Sequence, residues 1–184
     1  MNYDLDRIYE LPQIVRLTRQ IAILAHGEQL YGTEPYVVHL DAVVGILWDA
    51  GERDDHVLMT AYMHDVLEDT SFSWQNVVLH FPPQVGVALR LLTDETGPNR
   101  KIRKAKTYAK IHSMRESFGS AMTHGVKIGL LVKLADRIAN VRAARVSNPD
   151  LFKMYRKEAT AFREVYEVIG DHRALWSLLE GELS

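Results

Sequence analysis

Thr60-Ala-Tyr-Met-His-Asp-Val-Leu-Glu-Asp-Thr70 is the stretch that decides how this chain is read. It sets four polar groups, His64, Asp65, Glu68 and Asp69, among the apolar residues Ala61, Tyr62, Met63, Val66 and Leu67. If the segment is helical, His64 and Glu68 stand four apart, Asp65 and Glu68 three apart, and Asp65 and Asp69 four apart. Those spacings make them neighbours on one face, where like charges repel. No Lys or Arg occurs between Arg53 and Arg90 to relieve them. Such a group needs a bound cation, a basic partner from elsewhere in the chain, or raised pKa values. A solvated acidic helix end is the bland alternative, and the apolar flanks weigh against it.

The rest of the composition narrows the class. The chain has 184 residues, 47% hydrophobic and 25% charged, enough for one domain with a sizeable core. We therefore expect one domain over 1–184, with the motifs in about 14–162 and the C-terminal helices of 149–183 packed on them. A net charge of −2 gives no electrostatic footprint for nucleic acid. There is no Cys, so any metal must be held by His, Asp or Glu. Met-Asn-Tyr-Asp-Leu-Asp-Arg7 lacks the basic-then-apolar pattern of a secretion signal, and no run reaches the length of a membrane span. The expectation is a cytoplasmic protein that does not engage membrane, with its oligomeric state open.

Helical signals run throughout. Ile14, Leu17, Ile21 and Leu24 recur at helical spacing after Pro12, and Gly32-Thr-Glu-Pro-Tyr36 reads as a turn. A helix follows from Tyr36 to about Ala50, with His39 in its first turn and Gly51 as a stop. Asp54 or Asp55 can cap a third helix that carries the central cluster and ends near Thr70. Ser73 can cap a short helix that Pro82-Pro83 breaks, and Val85 to Leu92 reads as a buried one. Asp94-Glu-Thr-Gly-Pro-Asn99 is a loop, and Phe118 to Gly125 is read as irregular. Val126 to Val146 returns to helical periodicity. A helix from Pro149 carries Tyr155 and Phe162, and a last one spans about Asp171 to Leu183. Strand signals are absent, so the fold is expected to be an all-α bundle of about eight or more helices.

Two further stretches stand out. Arg100-Lys-Ile-Arg-Lys-Ala-Lys-Thr-Tyr-Ala-Lys110 is densely basic, with no acid between Glu95 and Glu116. For several of these residues a solvated face is sufficient; the functional alternative is a phosphate clamp. In Val126–Val146, Asp136 and Asn140 interrupt an apolar run four residues apart. A carboxylate buried there needs a metal or a partner, and Lys133 could supply the latter.

Taken together, His39, His64-Asp65 and Asp136 form the order His…His-Asp…Asp across three helices. Adjacent helical residues diverge by about 100°, so His64 and Asp65 can share an ion only if other helices complete it. Two imidazoles and two carboxylates suit Mn²⁺, and also Fe, Ni or Zn. This pattern resembles that of the HD phosphohydrolase superfamily. Pro35-Tyr-Val-Val-His39, Ala61-Tyr-Met-His-Asp-Val-Leu-Glu-Asp-Thr70 and Val132-Lys-Leu-Ala-Asp-Arg-Ile-Ala-Asn-Val-Arg142 look like three successive motifs of its alarmone-hydrolase branch, the RelA/SpoT-type and small stand-alone hydrolases. The resemblance runs from about Ile14 to Phe162. It implies an Mn²⁺-dependent enzyme that removes the 3′-diphosphate of guanosine tetra- or pentaphosphate, with a small-molecule nucleotide as its partner.

On that resemblance, His39, His64, Asp65 and Asp136 match metal ligands. Glu68 and Asp69 match the acidic pair that handles the attacking water, and Asn140 matches a nucleotide contact. Arg103 and Lys104 match, in character, a segment that meets phosphates, and Tyr155 a ligand-facing tyrosine. The family usually carries a basic pair in the loop before Pro-Tyr; here the positions read Leu30-Tyr31-Gly32, where Tyr31 could stack on a purine. That departure keeps open a different nucleotide: an adenosine alarmone, a dinucleotide cofactor phosphate or a deoxynucleotide. The chain is too short for the synthetase and regulatory domains of the long enzymes, so hydrolysis alone is expected. A degenerate binding module and nucleic-acid binding through the basic helix are the non-hydrolase alternatives. His26, His56, His80, His112, His124 and His172 are read as core or surface.

Overall fold

The computed structural model describes residues 5–118, 123–168 and 171–184. Among them run eleven helices: α1 (Leu5–Glu10), α2 (Gln13–His26), α3 (Val37–Asp49), α4 (Asp55–Met63), α5 (Val66–Asp69), α6 (Trp74–His80), α7 (Pro83–Leu92), α8 (Arg100–Phe118), α9 (His124–Ser147), α10 (Pro149–Tyr166) and α11 (Arg173–Leu183). The all-α expectation holds with one small addition. Leu30–Tyr31 (β1) pairs antiparallel with Glu34–Pro35 (β2), and Gly32 turns the hairpin at a φ of 65°. The expected caps are present, with Asp54 accepting from His56 N and Ser73 from Asn76 N; Asn148 caps a further helix by accepting from Leu151 N. Part of the stretch read as irregular, residues 119–122, lies outside the described residues; α9 has already begun at His124.

The 24-residue α9 is the axis of the bundle, with α3, α4, α7, α10 and α11 packed around it. It is apolar on nearly every side, as a helix enclosed by others must be. At Gly125 and Gly129 its N-terminal half lies close against α7. A Cβ on Gly125 would stand 2.7 Å from Gln84 O and from Val87 Cβ. The stripe of α2 behaves differently. Leu17 and Leu24 are exposed and Val15, Thr18, Ala22 and His26 face inward. One further departure concerns the central stretch. The helix does not run on to Thr70: α4 ends at Met63, and Asp65 sits at φ −102°, ψ −4° before the short α5 begins. That conformation lies in the sparsely populated region where many active-site residues are found.

Candidate metal centre and active site

The break at Asp65 resolves the geometric problem posed by adjacent ligands. On a continuous helix His64 and Asp65 would point apart; with the turn between them, His64 Nε2 lies 2.9 Å from Asp65 Oδ2. His39, from α3, completes a tight group. Its Nε2 is 3.2 Å from His64 Nε2, 3.7 Å from Asp65 Oδ2 and 3.4 Å from Asp136 Oδ1 of α9. His64 Nε2 is 3.7 Å from the same Asp136 oxygen. His64 Nδ1–H donates to Ala61 O at 2.7 Å, which leaves the Nε2 lone pair for the centre when the ring is neutral. Two imidazole nitrogens and two carboxylate oxygens therefore converge from three parts of the fold. That donor set fits a divalent cation, and His39, His64 and Asp65 alone already place one ligand atom each within 4.8 Å of the others.

The electrostatics carry the marks of this crowding. Burial works against a charged His64, yet Asp65 and Asp136 outweigh it and raise its pKa to about 10. Burial likewise opposes ionised Asp65 and Asp136. For Asp65 the His64 ring prevails, and for Asp136 Lys133 and both imidazoles do, so each carboxyl is held below the usual range. Lys133 Nζ is 3.0 Å from Asp136 Oδ2, so the partner and the metal reading coexist: one oxygen meets the lysine, the other faces the imidazoles.

Glu68 and Asp69 follow one turn on, their backbone N–H groups both donating to Asp65 O at 3.0 Å. Both are exposed by surface area, but the atoms packed around Glu68 still raise its carboxyl pKa by burial. Glu68 Oε1 accepts from Asp94 N at 2.6 Å. Asp69 Oδ2 accepts from Gln29 Nε2 at 3.1 Å, and Gln29 Oε1 accepts from His26 Nδ1 at 2.8 Å. His26 stacks on Tyr36 at 4.2 Å, and its Nε2 is buried without a hydrogen-bond partner. The Tyr36 hydroxyl donates to Asp65 Oδ2 at 2.5 Å. Sequence reasoning missed these roles. Tyr36 was available as a neighbour of His39 three residues on; His26-x-x-Gln29 offered a weaker hint, a polar pair at the end of an apolar helix.

The remaining site residues fall into two groups. Tyr31 stacks on His39 at 4.5 Å and donates to Asn140 Oδ1 at 2.8 Å; Asn140 Nδ2 in turn donates to Asp136 Oδ1. Tyr155, on α10, lies under the Arg137 guanidinium at 4.6 Å. Arg103 is exposed on α8, whereas Lys104 is largely covered, 3.2 Å from Asp94 Oδ2. Burial, then the like charge of Lys133, lowers the Lys104 pKa. Much of the basic helix holds the preceding loop. Lys106 donates to Thr96 O at 3.1 Å, and Lys110 donates to Thr93 O and pairs with Glu95 at 3.4 Å. Because Asp94 N of that loop donates to Glu68, the lysines of α8 also steady Glu68.

The profile of the HD domain family matches residues 18–174, and this chain belongs to that family. Among its relatives, the guanosine-3′,5′-bis(diphosphate) 3′-pyrophosphohydrolase MESH1 of Xenopus tropicalis is 31% identical over 150 residues, covering 81% of this chain and 77% of the relative. MESH1 of Drosophila melanogaster is 34% identical over 125 residues, 67% of this chain and 64% of the relative. The bifunctional (p)ppGpp synthase/hydrolase SpoT of Escherichia coli K12 is 30% identical over 172 residues, which are 91% of this chain and 22% of SpoT. The chain thus spans about a fifth of that longer relative. A solved structure of a metazoan ortholog of SpoT that hydrolyzes ppGpp aligns with a TM-score of 0.75 at 26% identity, over 93% of this chain and 94% of the other. Among the described residues no helix is long and apolar enough to cross a membrane.

Proposed function

We propose that this chain is a metal-dependent pyrophosphohydrolase that removes the 3′-diphosphate of guanosine tetra- or pentaphosphate, giving GDP or GTP and pyrophosphate. The observation that carries the reading is the convergence of His39, His64, Asp65 and Asp136, with separations of 2.9 to 3.7 Å, beside the Glu68–Asp69 pair. His39, His64, Asp65 and Asp136 would hold the cation, which we assign as Mn²⁺ and which, when bound, would supply Lewis acidity toward a phosphoryl oxygen and lower the pKa of water. Glu68, with its raised carboxyl pKa, takes the proton from the attacking water. Asp69, fixed by Gln29 and His26, orients that water. Lys104 and Arg103 neutralise charge on the diphosphate, and Asn140, Tyr31 and Tyr155 bound the nucleoside side. Lys104 leaves Asp94 to do so, a short movement for a side chain with four rotatable bonds. The test is incubation of the protein with guanosine tetraphosphate and Mn²⁺, with products resolved by charge. Equal amounts of GDP and pyrophosphate support the assignment; intact substrate refutes it.

A second substrate reading rests on one observation. Tyr31 occupies the loop where a basic grip on guanine is usual, and its hydroxyl is engaged by Asn140. A stacking residue without a basic partner discriminates weakly between purines. Adenosine and guanosine alarmones in parallel assays decide it: a guanine preference above about tenfold removes this alternative, since that needs only about 1.4 kcal/mol of base-specific contact.

A further inference from the structure

A second His/Asp group lies at the N-terminal ends of α4 and α9. Asp54, the N-cap of α4, has one imidazole on each oxygen: His56 Nδ1 is 3.2 Å from Oδ1 and His124 Nε2 is 2.9 Å from Oδ2. The two rings meet edge to face, 6.0 Å apart at 85°. One ligand atom from each residue lies within 4.8 Å of the other two. Eight residues of chain separate His56 from His64, about 12 Å at the helical rise, and twelve separate His124 from Asp136, about 18 Å. This group is therefore too far away to be half of a two-metal centre, whose ions stand about 3.5–4 Å apart.

We propose that Asp54, His56 and His124 form a second, structural site for a borderline transition-metal ion of the Zn²⁺ class. Two neutral imidazoles and one carboxylate are the donors such an ion takes when no thiolate is present, with water completing the coordination. The side chains leave room for that water, being 32%, 35% and 52% exposed for Asp54, His56 and His124. The positions are fixed beforehand by packing. Asp54 is held by its capping bond to His56 N at 2.8 Å, and His124 is anchored because Gly125 lies against Gln84 and Val87 of α7. Helix N-termini repel cations; Asp54 and Asp55, both at the start of α4, offset that field. A bound ion would clip the starts of α4 and α9, the helices that lead to His64-Asp65 and Asp136.

The test separates the two sites by stoichiometry, and its readout does not depend on turnover. Equilibrium dialysis against Zn²⁺, with metal counted per chain, should give two ions for the unsubstituted protein. Asp65→Asn, which disables the buried group, should keep one. His124→Asn and His56→Asn in that background should each weaken the remaining Zn²⁺ by about tenfold or more. With Mn²⁺ saturating the buried group, Zn²⁺ should also raise the melting temperature of the unsubstituted chain and not of His124→Asn. One ion per chain in the unsubstituted protein, or Zn²⁺ binding by Asp65→Asn that neither histidine substitution weakens, overturns the proposal. In that case Asp54 and its imidazoles are an ion-paired clasp alone. Failure of the alarmone assay would leave this count unaffected, so the two readings fall separately.

Discussion

The two His/Asp groups use the same two residue types and both draw on α4 and α9, the buried one on α3 as well, yet they differ in almost every physical respect. Around His39, His64, Asp65 and Asp136 the imidazoles are at most 3% exposed. Charges there cannot be screened, so each group shifts its neighbours: His64 upward, Asp65 and Asp136 downward. Around Asp54, His56 and His124, a third to a half of each side chain meets solvent. The comparison teaches that residue type identifies a donor, while enclosure decides how strongly donors are coupled.

The sharpest way to break the contrast is to remove one carboxylate from each group. Asp65→Asn should cost several kcal/mol of transition-state stabilisation, a fall in kcat/KM on the order of 10⁴-fold, with loss of bound Mn²⁺. Asp54→Asn should leave kcat/KM unchanged, since Asn caps as well as Asp. A comparable rate loss in both would end the distinction. Next, Glu68→Gln should retain Mn²⁺ and lose about 10³-fold in kcat; wild-type turnover would show that another group takes the proton.

The pH dependence of the metal-free protein sharpens the contrast further. His64 has a folded pKa near 10 against 6.5 unfolded, so its contribution is complete below pH 6.5 and is lost as pH rises toward 10. Melting temperature without metal should fall across that window, and Mn²⁺ should flatten the curve because it replaces the proton. A flat curve without metal would refute the coupling. The smallest effect is expected from Gln29→Ala. Loss of one hydrogen bond to Asp69, about 1 kcal/mol, should lower kcat five- to tenfold with KM held. A change in KM alone would assign Gln29 to binding.

Much of this architecture was legible in the sequence. Periodicity, capping residues and the paired prolines located most helices, and the order His39, His64-Asp65, Asp136 pointed to one buried ion. What escaped was whatever depends on partners remote in sequence. Tyr31 and Asn140 are 109 positions apart, and nothing local says that the phenol is spent on the amide. The basic helix read as a solvated face or a phosphate clamp because a surplus of charge is visible in a sequence, whereas the carbonyl oxygens that Lys106 and Lys110 meet are not. The break at Asp65 was invisible for a related reason: helical propensity favours continuity, and the crowded ligands override it. The outward stripe of α2 shows that periodicity identifies a helix without saying which face is inward.

The bare contact between Gly125 and α7 has a consequence for how the chain can change over time. Asp136 lies three turns along the same rod, so any drift in how α9 is seated is carried to the donor cluster. A methyl group at that point would have to displace Gln84 O or Val87. Mutational freedom is therefore low at a spot remote from the four converging donors, and a lineage that alters its surface loops would have to inherit that glycine intact.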